Sequence, residues 1–172
     1  MSAQSATDPV HDSAYSWVRL AMSLTIATIG NVGMWVVVVI LPAVEAAFAA
    51  GRGEVSLVYT LMMLGFAAGN LIIGRAVDRF GVVRALMASA VLLGASFAAA
   101  ALSPTLPVLA VLHLAVGFGT AASFGPLIAD VSHWFLRRRG VAVAIAACGN
   151  YLAGAVWPVV LSGIQAEAGW RG

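Results

Sequence analysis

The chain has 172 residues, 62% of them hydrophobic and only 9% charged, where an ordinary soluble domain carries about a quarter charged side chains. Nine basic residues, all arginine, and seven acidic ones cannot build a water-facing surface, so a soluble fold is excluded and lipid must be the solvent. The formal balance of +2 and the single cysteine, Cys148, point to no nucleic-acid partner and allow no intrachain disulfide.

Residues 1–16 are polar, contain Asp8 and Asp12 and lack Lys or Arg. They have no signal-peptide n-region and read as a disordered tail ahead of a transmembrane domain over 17–172. A helix needs roughly 20 apolar residues to cross about 30 Å of hydrocarbon. The uncharged run from Leu20 to Val44 supplies the first crossing, with Thr28, Asn31 and Trp35 recurring at helical spacing. Val55 to Gly74 supplies the second; Gly65 and Gly69 are spaced for close backbone approach, and Tyr59, Met63, Phe66 and Asn70 form a stripe that reads as packing, with a pocket lining as the alternative. Ala85 to Ala129 is uncharged and is punctuated by Ser103-Pro104-Thr105-Leu106-Pro107, which divides it into the third and fourth crossings. Gly140 to Ala166 is the fifth, carrying Asn150, Tyr151, Gly154 and Trp157 ahead of Pro158, which should kink it. The expected spans are about 18–43, 55–75, 84–102, 106–129 and 139–165. None alternates polar with apolar residues as a barrel strand would, so the fold class is all-α, a polytopic membrane protein.

Orientation follows from the arginines. Arg19, Arg75, Arg79, Arg84, Arg137, Arg138 and Arg139 fall on one side of these spans, Arg52 and Arg171 on the other. The arginine-rich side is the expected cytoplasmic face, which puts the amino terminus on the cytoplasmic side of a cell membrane. Trp17, Trp134 and Trp170 flank span ends, as interfacial anchors do.

Between the second and third spans runs Gly74-Arg75-Ala76-Val77-Asp78-Arg79-Phe80-Gly81-Val82-Val83-Arg84. It resembles the loop signature G-x-x-x-D-R-x-G-R-R of the major facilitator superfamily, with Gly74, Asp78, Arg79 and Gly81 carrying the match and Arg84 standing near the usual basic residues, which are Val82 and Val83 here. Gly74 and Gly81 suit tight helix-to-loop backbone. The resemblance implies that Asp78 and Arg79 bias an alternating-access equilibrium by engaging the other half of a transporter, without touching solute. Ser132-His133-Trp134-Phe135-Leu136-Arg137-Arg138-Arg139-Gly140 is similar to the entry of the fifth helix in monocarboxylate porters and the oxalate/formate antiporter branch, and its cytoplasmic basic cluster Arg137, Arg138 and Arg139 equally suits any inside loop. The five spans fit an incomplete six-helix amino-terminal half of that superfamily's twelve-helix fold.

Polar groups at bilayer depth are expensive and are functional candidates by default. Asn31 and Trp35 share a face of the first span, which lines the cavity in the resembled family; interhelical bonding is the alternative for Asn31. His113 is the titratable group of the long uncharged stretch. It stands four residues before Gly117, where the fourth helix of proton-coupled drug antiporters places Arg, so it is a candidate for a proton or solute pathway, with packing as the alternative. Asn150, Tyr151 and Trp157 are the candidates of the fifth span. No metal motif, phosphate-binding loop or acid inside a span supports an enzyme, and no cofactor is implied.

The expected function is secondary active transport of small solutes, organic anions such as monocarboxylates in first place, by alternating access and with a proton as the candidate coupling ion. The chain reads as truncated and inactive without its missing carboxy-terminal half. A non-transporting membrane interaction module or half-transporter is the alternative, as is drug or sugar efflux for the substrate class.

Overall fold

The computed structural model describes residues 11–171. Among these the chain is helical, without strands: α1 (Ala14–Gly30), α2 (Val32–Phe48), α3 (Arg52–Phe80), α4 (Val82–Ala101), α5 (Leu106–Thr120), a 3₁₀ turn (Ala121–Ser123), α6 (Gly125–Trp134) and α7 (Arg139–Ala168). Five stretches, Ala14–Phe48, Arg52–Phe80, Val82–Ala101, Leu106–Trp134 and Arg139–Ala168, are long and apolar enough to cross a bilayer. Residues 1–10 of the expected tail lie outside the described residues. The remainder of that segment departs from the expectation. Ser13 caps α1 by accepting a hydrogen bond from the Ser16 amide at 3.3 Å, so 14–16 form the first helical turn, as a serine N-cap favours.

The first and fourth spans are interrupted, which the sequence reading did not anticipate. At Asn31 the side-chain Nδ2 donates to the Ala27 carbonyl at 2.8 Å, competing with the helical ladder in the way Asn does. In the fourth span Pro126 has no amide hydrogen to give to the preceding turn, and the helix restarts at Gly125 with Pro in its first turn.

Glycines bring the second and fourth spans together. A Cβ at Gly65 would overlap the Leu114 carbonyl, and one at Gly117 would overlap the Met62 carbonyl. Such close backbone approach is the favourable way to associate helices in lipid, where apolar surface alone supplies no drive. On the other flank Gly149 and Gly154 of α7 receive Ala27 and Trp35 of the first span. The outer faces are apolar: Leu71, Val91, Tyr151 and Val159 are each at least 67% exposed, the inverse of a water-soluble surface.

The signature between the second and third spans does not form a loop. Helix α3 continues through Gly74, Asp78 and Arg79 to Phe80, and Gly81 alone joins it to α4. Gly81 has φ 86°, a backbone conformation closed to residues with a Cβ, whereas Gly74 lies in helical geometry inside α3. The expectation of loop backbone at Gly74 is therefore corrected, and Asp78 and Arg79 project from the last turn of a helix. Their end of the molecule also holds the start of α1 and the α6–α7 turn, because Tyr15, Arg19, Val82, Val83 and Asp130 line one cleft. Phe48 and Trp170 pack at the opposite end, ring centroids 5.7 Å apart.

Replacing Gly117 with Ala should cost about 1–3 kcal/mol of stability, since the added methyl meets fixed backbone, despite the better helix propensity of Ala. Gly163→Ala, where a Cβ meets nothing within 4 Å, should leave stability unchanged or slightly higher. Thermal unfolding of both variants in detergent measures the contrast.

Candidate functional site

The two interruptions face each other near the middle of their spans. Asn31 is fully buried; its Nδ2, besides bonding Ala27, lies 3.5 Å from the Ser123 carbonyl, and its Oδ1 has no donor among the described residues. Gly30 abuts Ser123 Oγ and Gly33 abuts Thr120 Oγ1, each so closely that a Cβ would overlap the hydroxyl. Thr120 Oγ1 donates to the Val116 carbonyl at 2.8 Å. From the second span Asn70 donates to the Phe66 carbonyl at 2.9 Å and turns its Oδ1 toward Gly125. Three spans thus bring Asn31, Asn70, Thr120 and Ser123 to the two breaks. The free Asn31 Oδ1 is an acceptor for a hydroxyl, amide or ammonium donor, which is the chemistry a buried unmet acceptor demands.

The other sequence candidates divide. Trp157 Nε1 donates to the Thr28 carbonyl at 2.7 Å, meeting one of the carbonyls that the end of α1 leaves without a helical partner; it ties the fifth span to the first and is not free to hold a solute. Trp35 packs on Gly154, and its Nε1 has no acceptor among the described residues. Asn150 Oδ1 is likewise buried and unmet. Tyr151 is 74% exposed and points away from the bundle. His113, 1% exposed, has Nδ1 2.9 Å from the Leu109 carbonyl, which accepts its proton and leaves Nε2 as the unmet nitrogen. It lines a separate cavity of about 470 Å³ with Val36, Ile40, Phe97 and Leu109, and Arg171 lies at its edge.

At the arginine-rich end, Asp78, Arg79 and Arg84 are exposed. Asp78 forms no ion pair among the described residues; Arg75 donates to the Leu71 carbonyl and Arg79 stacks on Phe80 at 5.3 Å. Two features escaped the sequence reading. Arg19 Nη2 donates to Asp130 Oδ2 at 2.9 Å and lies 4.4 Å over the Trp134 ring. Asp130 sits one turn from the end of α6, just past the expected fourth span, and an acid one turn from a span end was the available signal. The second is Asp12, whose Oδ2 accepts from the amides of Leu136 and Arg137 at 3.1 and 3.0 Å, while its own amide donates to the Trp134 carbonyl at 3.1 Å. Tyr15 meets Trp134 and Trp17 meets Phe135 edge to face, at 5.4 and 5.1 Å. Residues 12–19 therefore clasp the α6–α7 turn. The hydrogen bond from the Arg137 amide, opposed by desolvation and aided by the Leu136 amide, holds the Asp12 carboxyl below its usual range.

A depressed folded value means that the clasp's contribution is present above the ordinary carboxylate pKa and is lost as pH falls through the folded one. Amide hydrogen exchange at Leu136 and Arg137, corrected for intrinsic rates, should stay slow at neutral pH and rise only on strong acidification. Asp12→Ala should show the fast exchange at every pH. Arg19→Gln and Asp130→Asn should each cost about 1–3 kcal/mol, and the double variant less than their sum, measured as a thermal double-mutant cycle.

Comparison with known proteins agrees with this architecture. The chain is 26% identical over 168 residues to the 3-(3-hydroxy-phenyl)propionate transporter of Escherichia coli, covering 97% of this chain and 41% of that protein. It is 33% identical over 110 residues to the uncharacterized MFS-type transporter YhjX of Escherichia coli, covering 63% of the chain and 27% of the relative. With the probable sulfoacetate transporter SauU of Cupriavidus necator it shares 25% identity over 131 residues, 76% of the chain and 30% of that protein. It thus spans well under half the length of each. The profile of the Major Facilitator Superfamily matches residues 22–172, and the chain belongs to that superfamily.

Proposed function

We propose that this chain is the amino-terminal part of a secondary active transporter that moves small organic anions, such as monocarboxylates, by alternating access. The observation that carries the reading is the crossing of two interrupted spans around a buried, unmet Asn31 Oδ1, since transporters place solute and ion sites at broken helices near the bilayer midplane. Two of the relatives are named for transport of small organic acids, sulfoacetate and 3-(3-hydroxy-phenyl)propionate, which favours an anionic solute here. Asn31 would bond the solute, and His113, with its unmet Nε2, would serve a proton pathway.

Asp78 and Arg79, exposed at the end of α3 without an ion pair among the described residues, are free to engage a carboxy-terminal half and so to bias the inward and outward states. The amino terminus and the arginine-rich end face the cytoplasm, and the protein resides in the cell membrane. Transport needs the carboxy-terminal half, because a major facilitator builds its solute site between two halves.

The test is uptake of labelled monocarboxylates by cells producing the full-length gene product, with and without a proton gradient. Asp78→Asn should slow uptake about tenfold by shifting the conformational equilibrium; His113→Ala should abolish the response to the gradient, and Asn31→Ala should raise KM. Unchanged uptake in all three variants would overturn the reading.

A further inference from the structure

The α6–α7 turn carries two guanidinium groups with no hydrogen-bond or ion-pair partner among the described residues. They belong to Arg137 and Arg138, which are exposed, whereas Arg139 donates to the Phe135 carbonyl at 3.2 Å. Asp12 is the acid beside them, yet its Oδ2 is turned to the Leu136 and Arg137 amides. Asp12, Arg137 and Arg138 line a recess of about 460 Å³. The carboxylate thus shapes the turn and leaves both guanidinium forks facing outward.

The surroundings say what kind of anion fits. Leu136 and Val141, on either side of the basic run, are 53% and 57% exposed, so apolar surface flanks the charge. Trp17 and Trp134 pack at the same level, the depth at which such rings meet headgroups. The first amides of α7 add the positive end of a helix dipole, and a guanidinium fork suits phosphate oxygens. We propose that Arg137 and Arg138, on a turn held in shape by Asp12, form a seat for the phosphate of an anionic phospholipid whose acyl chains lie along Leu136 and Val141. Nothing in this depends on which solute is carried.

The full chain in uncharged detergent is titrated with phosphatidylglycerol, phosphatidylcholine or inorganic phosphate while its unfolding temperature is followed. Phosphatidylglycerol should give a saturable rise that neither phosphatidylcholine nor inorganic phosphate gives at equal concentration. Arg137→Gln with Arg138→Gln should weaken the apparent affinity about 30-fold, from about 1 kcal/mol per arginine. The paired Arg→Lys variant keeps the charge and should retain most of the rise, and Arg52→Gln at the opposite end should retain all of it. Asp12→Ala discriminates further: it makes the turn more positive, so charge alone predicts tighter binding, whereas a seat that Asp12 shapes predicts weaker binding. An unchanged affinity in the paired Gln variant, tighter binding in Asp12→Ala, an equal rise with phosphatidylcholine, or an equal rise with inorganic phosphate would each overturn the assignment.

Discussion

A bilayer gives backbone amides and carbonyls nothing to bond with, so a helix that breaks inside it must bury the break against protein. This chain breaks two helices and sets one break against the other. Gly30 and Gly33 let the first span close on Ser123 and Thr120, and the Asn31 side chain returns to its own helix at Ala27. The same logic extends outward: the second span seals the fourth through Gly65 and Gly117, and α7 seals the first through Gly149, Gly154 and the Trp157 indole. Small residues thus stand at each place where one span's backbone closely approaches another.

The two ends of the bundle are held differently. At one, aromatic packing between Phe48 and Trp170 and a hydrogen bond from Arg171 to the Ser103 carbonyl join α2 and the end of α7 to the α4–α5 turn. At the arginine-rich end the contacts are polar and span a long separation in sequence, from Asp12 to Arg137 and from Arg19 to Asp130. An ion pair at the membrane boundary is shielded from water on one side and so couples more strongly than a fully solvated one. The bundle is in this way braced at both ends, and the exposed Asp78 and Arg79 remain outside that bracing.

The sequence made the number of spans and the grouping of arginines legible because both rest on composition: long apolar runs cross lipid, and charge collects at their ends. The interruptions were hidden by the same property. Gly30 and Asn31 sit inside an unbroken apolar run, and only the opposing Ser123 and Thr120, about ninety positions away in the chain, make a break there tolerable. The signature around Asp78 differs from its expected backbone, since Gly74 has helical neighbours on both sides and of its two outer glycines Gly81 alone adopts the positive φ. Among the candidate site residues, spacing along one helix placed Asn31, Trp35, Asn150 and Trp157 toward the bundle but could not tell which were already occupied: Trp157 is bonded, while Asn31 keeps a free acceptor. Asp12 falls in the segment that reads as a tail from its polar composition, and its partners are backbone amides, which no side-chain pattern reveals.

The bond from Trp157 to Thr28 also has a consequence for biosynthesis. The indole that meets the Thr28 carbonyl is 129 positions further along the chain, so at roughly 5–20 residues per second the ribosome delivers it about 6–26 s after the first span. Until then the Thr28 carbonyl lacks this donor, so the contact that ties the first span to the fifth is among the last in the chain that can form. Completion of the fifth helix supplies the donor, so this wall of the bundle closes late in synthesis.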